Sequence, residues 1–286
     1  MNDHTNPLEE APVAAPPRPE EPPEQLEEST ATPQLAEDHS PVAQHPARER
    51  RRVYINTDHL PYPTESYVAW LDVMGSRSTM ASSLLKSSNN IGRLHIAILM
   101  NRNWSLQTSP FMDGAYIRST KQTPILDFLW GVFEEMAFDF LNAREHRHRF
   151  MPRCGLSFGG IIEGVQIPTT VSIILGARAN SNYREGIYFG YAMEQAFRSE
   201  GDAPPFGVAI HESARGFAPY RERALSGVWW RWHTYRPVDF LQDFVSKLMD
   251  YFDWCETHSN SLGYPIDRIR AHRAMSAEYF DTSKLA

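Results

Sequence analysis

Residues 67–75 read YVAWLDVMG, and this stretch decides the fold. Tyr67 to Val73 is a β-rich apolar run broken only by Asp72, the pattern of a central strand buried on both faces. A second short run, FMDGAYI at residues 111–117, carries Asp113, 41 positions further on. Each run reads as a buried strand closing in a turn. Two carboxylates brought together at the ends of adjacent strands make a site for divalent cations. Hard oxygen ligands suit Mg²⁺ or Mn²⁺ and, through them, the phosphates of a nucleotide.

Outward from these runs, periodic apolar positions (Leu84, Leu85, Ile91, Leu94, Ile98) predict a helix over Ser78 to Met100, bent or broken at SSNNIG, Ser87 to Gly92. A hairpin follows, with arms around Trp104 to Thr108 and Ala115 to Arg118, and Asp113-Gly114 at or near its turn. Thr123 and Pro124 predict a helix start as N-cap and first helical residue. Its apolar face runs through Leu129, Val132, Phe133, Met136 and Phe140 and ends in the polar tract Arg144 to Arg149. Arg153 to Ile162 (RCGLSFGGII) reads as a strand whose glycines allow close backbone approach. Thr170 to Leu175 predicts a further strand, the segment after Gly190 a helix, and Phe206 to Ile210 a strand. Two C-terminal helices are expected, one over Val238 to Trp254 and one in the last 25 residues. The order predicts an α/β or α+β sandwich with helices on a mixed sheet.

The first 52 residues differ from the rest. They hold 10 of the 21 prolines, 11 acidic and 5 basic residues, and no tryptophan, tyrosine or phenylalanine. Such a segment buries too little apolar surface to offset its ordering entropy and is expected to be disordered. It carries −6 of the net charge of −7, so the domain expected over 53–286 is nearly neutral. That balance argues against nucleic acid as a partner. No apolar run approaches the roughly 18 residues of a membrane span, and no signal peptide is evident. Cys154 and Cys255 are too few for a disulfide scaffold and lack metal-ligand spacing, so a reducing, cytoplasmic setting is expected.

Four segments in order (YVAWLDVMG, FMDGAYI, RCGLSFGG and GYAMEQAFRSE) make the chain resemble a class III nucleotidyl cyclase catalytic domain. It most resembles the pyrimidine cyclases of the bacterial Pycsar anti-phage system, over roughly residues 66 to 212. The resemblance implies an α+β fold with a ferredoxin-like palm, acting as a homodimer with catalytic sites shared between subunits. It implies that Asp72 and Asp113, with Val73 beside them, hold two Mg²⁺ or Mn²⁺ ions. The chemistry implied is attack of a ribose 3′-OH on the α-phosphate, releasing pyrophosphate. The turn of Met74, Gly75 and Ser76 would hold phosphate oxygens.

In the same family pattern a Gly is followed four and eight residues later by Asn and Arg. Here Gly190 is followed by Glu194 and Arg198. Arg198 either stabilises charge on the α-phosphate or pairs on the helix surface with Glu194. Purine cyclases tend to carry a Lys shortly before the second metal Asp, where this chain reads WSLQTSP. Trp104 and Arg153 are the nearest matches to the base-contacting aromatic and Arg of the pyrimidine cyclases, with core packing the other reading of Trp104. The resemblance favours UTP over CTP and a separate cyclic-nucleotide effector. A purine cyclase and a catalytically inactive nucleotide-binding module remain alternatives. Arg144 to Arg149 reads as a solvated helix end or a triphosphate contact, and Val228 to Tyr235 as core or a dimer contact.

Overall fold

The computed structural model describes residues 57–169, 171 and 181–281. The expected tail, 1–52, lies outside the described residues, as does the strand expected at Thr170–Leu175 save for Val171.

The chain enters through β1 (Thr64–Val73), whose middle is buried on both faces as its unbroken apolar run requires. Two helices follow, α1 (Ser76–Ser82) and α2 (Leu84–Asn101), in place of one long helix. The break falls at Ser83 and not at Ser87–Gly92. Ser83 is extended (φ −158°, ψ 104°), and its side chain accepts the Lys86 N–H at 3.3 Å, so it ends one helix and caps the next. Ser87 and Asn90 instead sit inside α2 on its buried face, while Leu84 and Leu85 are exposed.

Next come β2 (Gln107–Phe111) and β3 (Gly114–Ser119), joined through Met112 and Asp113. The first arm begins three residues later than expected and leaves Trp104 in the preceding loop. β2 is an edge strand, which is why it tolerates Pro110. The long helix α3 (Gln122–Asn142) starts with Lys121 as its N-cap, two residues before Thr123. Pro124 fits there because a first-turn N–H has no helical acceptor. β4 (Pro152–Glu163) pairs antiparallel with β1 over ten positions. The chain then forms α4 (Ser181–Glu185), β5 (Tyr188–Phe189), α5 (Tyr191–Glu200), β6 (Val208–Ile210), α6 (Glu212–Gly216) and β7 (Trp229–Trp230). It closes with α7 (Val238–Thr257), α8 (Ser259–Leu262) and α9 (Ile266–Tyr279).

Among the described residues the sheet runs β2-β3-β1-β4-β6-β7, with β5 beside β4. The pairs β2–β3, β3–β1 and β1–β4 are antiparallel, and β4–β6 is parallel. The β-α-β-β-α-β order over the first four strands, with β1 and β3 central, is the ferredoxin-like palm, and the fold is α+β with a mixed sheet. Alternation divides β1 between two cores. Tyr67, Ala69, Leu71 and Val73 face the larger core with α2, α3 and α7, whereas Val68 and Trp70 pack under Ala192 and Ala196 of α5. The Trp-rich stretch Val228 to Tyr235 contributes Trp232, 1% exposed, to the larger core, with its indole N–H donating to the Phe206 carbonyl at 2.7 Å. No helix among the described residues is long and apolar enough to cross a membrane.

Candidate active site at the end of β1

Asp72 is the penultimate residue of β1 and lies on the same face as Val68 and Trp70. Asp113 sits at the hairpin tip, beside the end of β1 that pairs Leu71 with Ala115. The chain leaving β1 turns sharply at Gly75 (φ +72°), a backbone conformation that favours glycine. Ser76 opens α1, and its hydroxyl donates to Asp113 Oδ2. The turn 73–76 thus ties the two aspartates to one end of the sheet. It is held from behind by the Met74 N–H, which donates to the Met151 carbonyl at 2.9 Å. That N–H is engaged, whereas among the described residues those of Gly75 and Ser76 have no backbone acceptor.

Across the β1–β4 ladder Asp72 faces Arg153. The guanidinium pairs instead with Glu200 at 2.6 Å, both side chains being 12% exposed. Glu200 arrives on α5 because Gly155 lets the helix approach. A Cβ on Gly155 would lie 2.0 Å from the Ala196 carbonyl oxygen and 2.5 Å from the Glu200 nitrogen. Three carboxylates therefore crowd Arg153, with Arg268 acting on Glu200 as well. Burial, then Asp113, then Glu200 push Asp72 up to about 7, against weaker lowering by the Val73 N–H and by Arg153. Glu200 is also raised by burial, with Arg153 opposing. Asp72 Oδ1 is buried without a hydrogen-bond partner.

These features fit a divalent cation. An orphaned carboxylate oxygen and a carboxyl held near neutrality by its neighbours both gain from added positive charge. Among the described residues no group of three or more His, Cys, Asp or Glu side chains is arranged to hold a metal. Asp72 and Asp113 would thus share a hard ion with a backbone carbonyl such as that of Val73, water and phosphate, which is how Mg²⁺ is commonly held.

The other expected residues scatter. Arg198 is 71% exposed and pairs with Glu194 at 2.5 Å on the outer face of α5. Two residues on, Glu200 faces inward, because positions two apart on a helix point in nearly opposite directions. Sequence reasoning missed Glu200. Its signal was the inward face Ala192, Ala196, Ser199, Glu200, which places a carboxylate where only a paired one is stable. Trp104 is 98% exposed. It precedes Gln107, which is level with Arg118 and through it Val68, about 13 Å along the strands from Asp72. Within one chain Trp104 is not brought to the aspartates. The polar tract after α3 forms a short turn, His146–His148, with Arg147 paired to Glu145 at 2.6 Å.

No protein-family model matches the chain, and no curated protein matches it. Among solved structures it is similar to a bacterial light-regulated adenylyl cyclase, at 15% identity and a TM-score of 0.42, over 53% of this chain and 44% of that one. It is also similar to the guanylyl cyclase domain of the RhoGC fusion protein from the aquatic fungus Blastocladiella emersonii, at 14% identity and a TM-score of 0.41, over 55% and 84%. A third is the adenylate/guanylate cyclase/hydrolase from Silicibacter pomeroyi, at 17% identity and a TM-score of 0.38, over 51% and 74%. All three are described as cyclases. This chain spans less than half of the light-regulated enzyme, and no residue's role here rests on these likenesses.

Proposed function

We propose that this chain is a metal-dependent nucleotidyl cyclase that closes a pyrimidine nucleoside triphosphate, UTP before CTP, to its 3′,5′-cyclic monophosphate and pyrophosphate. The observation that carries this reading is the juxtaposition of Asp72 and Asp113 around the Gly75 turn, with Ser76 bonded to Asp113. Two Mg²⁺ or Mn²⁺ ions held there would supply charge neutralisation along the triphosphate and ease loss of the 3′-OH proton.

The chain's own residues have separable tasks. Asp72 binds as a carboxylate and releases its proton near neutrality as the site fills. Ser76 fixes the orientation of Asp113. The N–H groups of Gly75 and Ser76 are placed to donate to phosphate oxygens, and Glu200 sets the position of Arg153. Arg153 and Trp104 are proposed as base contacts. Since Arg198 and Trp104 face solvent in one protomer, both are proposed to act across a homodimer.

An exposed apolar patch supports that assembly. Phe111 and Phe197, 56% and 52% exposed, both lie against Trp70, at 6.3 and 5.6 Å between ring centroids, on the face covered by α5. The product is proposed as a second messenger of anti-phage defence, made in the cytoplasm and read by a separate effector protein.

Incubation of the full chain with each of the four ribonucleoside triphosphates and Mn²⁺, with products resolved by mass, tests the reading. Cyclic UMP, or less readily cyclic CMP, is expected, and chelation should abolish it. Cyclic AMP or cyclic GMP alone would replace the pyrimidine assignment with a purine one. Absence of any product from folded, dimeric protein would leave a nucleotide-binding module.

A further inference from the structure

Behind the β1–α1 turn lies a cavity of about 440 Å³, within the range of small-molecule sites. Its walls come from that turn, from α2, from the chain entering β4, and from the C-terminal helices. Four cationic side chains line it (Lys86, Arg149, Arg153 and Arg268), and no Asp or Glu does. Arg153 is answered by Glu200 from outside the cavity, and Arg149 lies over the Phe140 ring in the field of Asp250. Among the described residues neither Lys86 nor Arg268 forms a close ion pair, and Arg268 lies in the field of Glu200.

His272 shows that these charges converge. It is buried, and its Nδ1 shares a 2.5 Å hydrogen bond with the Tyr264 hydroxyl. Burial first, then Arg153 and Arg268, lower it to about 4, so it is neutral and adds no charge of its own. A partly enclosed space lined by four cations and no carboxylate, with its counter-charges outside, concentrates anions. Its hydroxyls, guanidiniums and Tyr251 and Tyr264 rings suit a phosphate group attached to a larger, partly flat molecule.

We propose that this cavity is a binding site for a phosphate-bearing ligand, separate from the aspartate pair. Asp72 points to the α5 face of the sheet, whereas Met74, Phe150, Met151 and Tyr251 beside the cavity belong to the core on the opposite face. The two sites share the turn and Arg153. An anion in the cavity competes with Glu200 for that guanidinium and thereby reaches Asp72. None of this requires that the chain be a cyclase.

The test is calorimetric titration of the full chain with inorganic pyrophosphate in EDTA, which removes metal-dependent binding at the aspartates. Binding is expected in the wild type and in Asp72→Asn. It should weaken by about tenfold or more in Lys86→Ala/Arg268→Ala, and Arg268→Lys should retain most of it. No binding to the wild type, or equal binding to the double variant, overturns the proposal, as does loss in Asp72→Asn with the double variant unaffected. Titrating UTP into pyrophosphate-saturated protein then identifies the source of the phosphate. Exclusion of UTP would make the cavity part of the substrate site and overturn its separateness, whereas simultaneous binding marks it as a site for a second metabolite. A cyclase assay that failed would leave every one of these readings intact.

Discussion

Arg153 stands directly opposite Asp72 across the β1–β4 ladder, yet its guanidinium pairs with Glu200 at 2.6 Å. Asp72 is thus left beside a cation already committed to another carboxylate, and its carboxyl is pushed up to about 7. The site is electrostatically incomplete in a way that a divalent ion corrects.

Glu200→Gln is expected to lower the pH midpoint of Mn²⁺ binding below about 7. It removes one repulsive charge from Asp72 and frees Arg153 to pair with it. In the wild type, metal binding and turnover should fall as pH drops through about 7, because Asp72 becomes protonated. Electron paramagnetic resonance of Mn²⁺ from about pH 5 to about pH 9 measures both midpoints, given ordinary carboxylates outside the site. An unchanged midpoint in the variant would refute the role given to Glu200.

Asp72→Asn should abolish cyclisation and stabilise the metal-free fold at alkaline pH. A carboxyl whose folded pKa is raised from 3.8 to about 7 costs stability as pH climbs between those values, and the cost persists above them. The full shift corresponds to about 4 kcal/mol, and partial exposure brings the expected gain nearer about 2 kcal/mol. Thermal melts in EDTA should show this gain at about pH 8 and almost none near pH 4, where Asp72 is neutral in both states. Equal melting temperatures at both pH values would mean that Asp72 is not strained by burial.

Gly155→Ala should destabilise the fold by about 1–3 kcal/mol or more, because its methyl group meets the α5 backbone and not a side-chain tip. It should also shift Glu200 away from Arg153 and move the metal-binding midpoint. Gly92→Ala is the control. That glycine lies inside α2 with nothing within 4 Å of an added Cβ, so the fold should gain about 0.5–1 kcal/mol. Chemical denaturation of both variants gives the comparison.

Asp72→Asn and Arg198→Ala should each be inactive alone. Mixed and allowed to exchange subunits, they should recover about a quarter of wild-type activity, since half the dimers are mixed and each holds one intact site. The exposed position of Arg198, away from the aspartates of its own chain, leads to this expectation. No recovery, with exchange demonstrated by mass, would return Arg198 to a surface pair with Glu194.

Much of the scaffold was legible from local pattern. The run at Tyr67–Val73 marked β1, the apolar stripe from Leu129 to Phe140 marked α3, and Asp113-Gly114 marked the hairpin tip. Boundaries that depend on a single backbone state were not legible. Ser83 breaks the first helical stretch although Ser87 to Gly92 looks the weaker segment, because the Ser83 side chain caps α2 by accepting the Lys86 N–H, while Ser87 and Asn90 lie inside the helix on its buried face.

The sequence alone determined a mixed sheet with packed helices and the placing of Asp72 and Asp113 at strand ends, since apolar runs and turn chemistry are local properties written residue by residue, while the palm was implied by the family resemblance. Only the tertiary structure decided the rest. That Arg153 belongs to Glu200, that α5 presents Glu200 inward and Arg198 outward, and that Trp104 lies at the far end of the strands all depend on register and helix rotation. Those are set by packing between segments distant in the chain, here by a helix seated on Gly155, and no single segment records them.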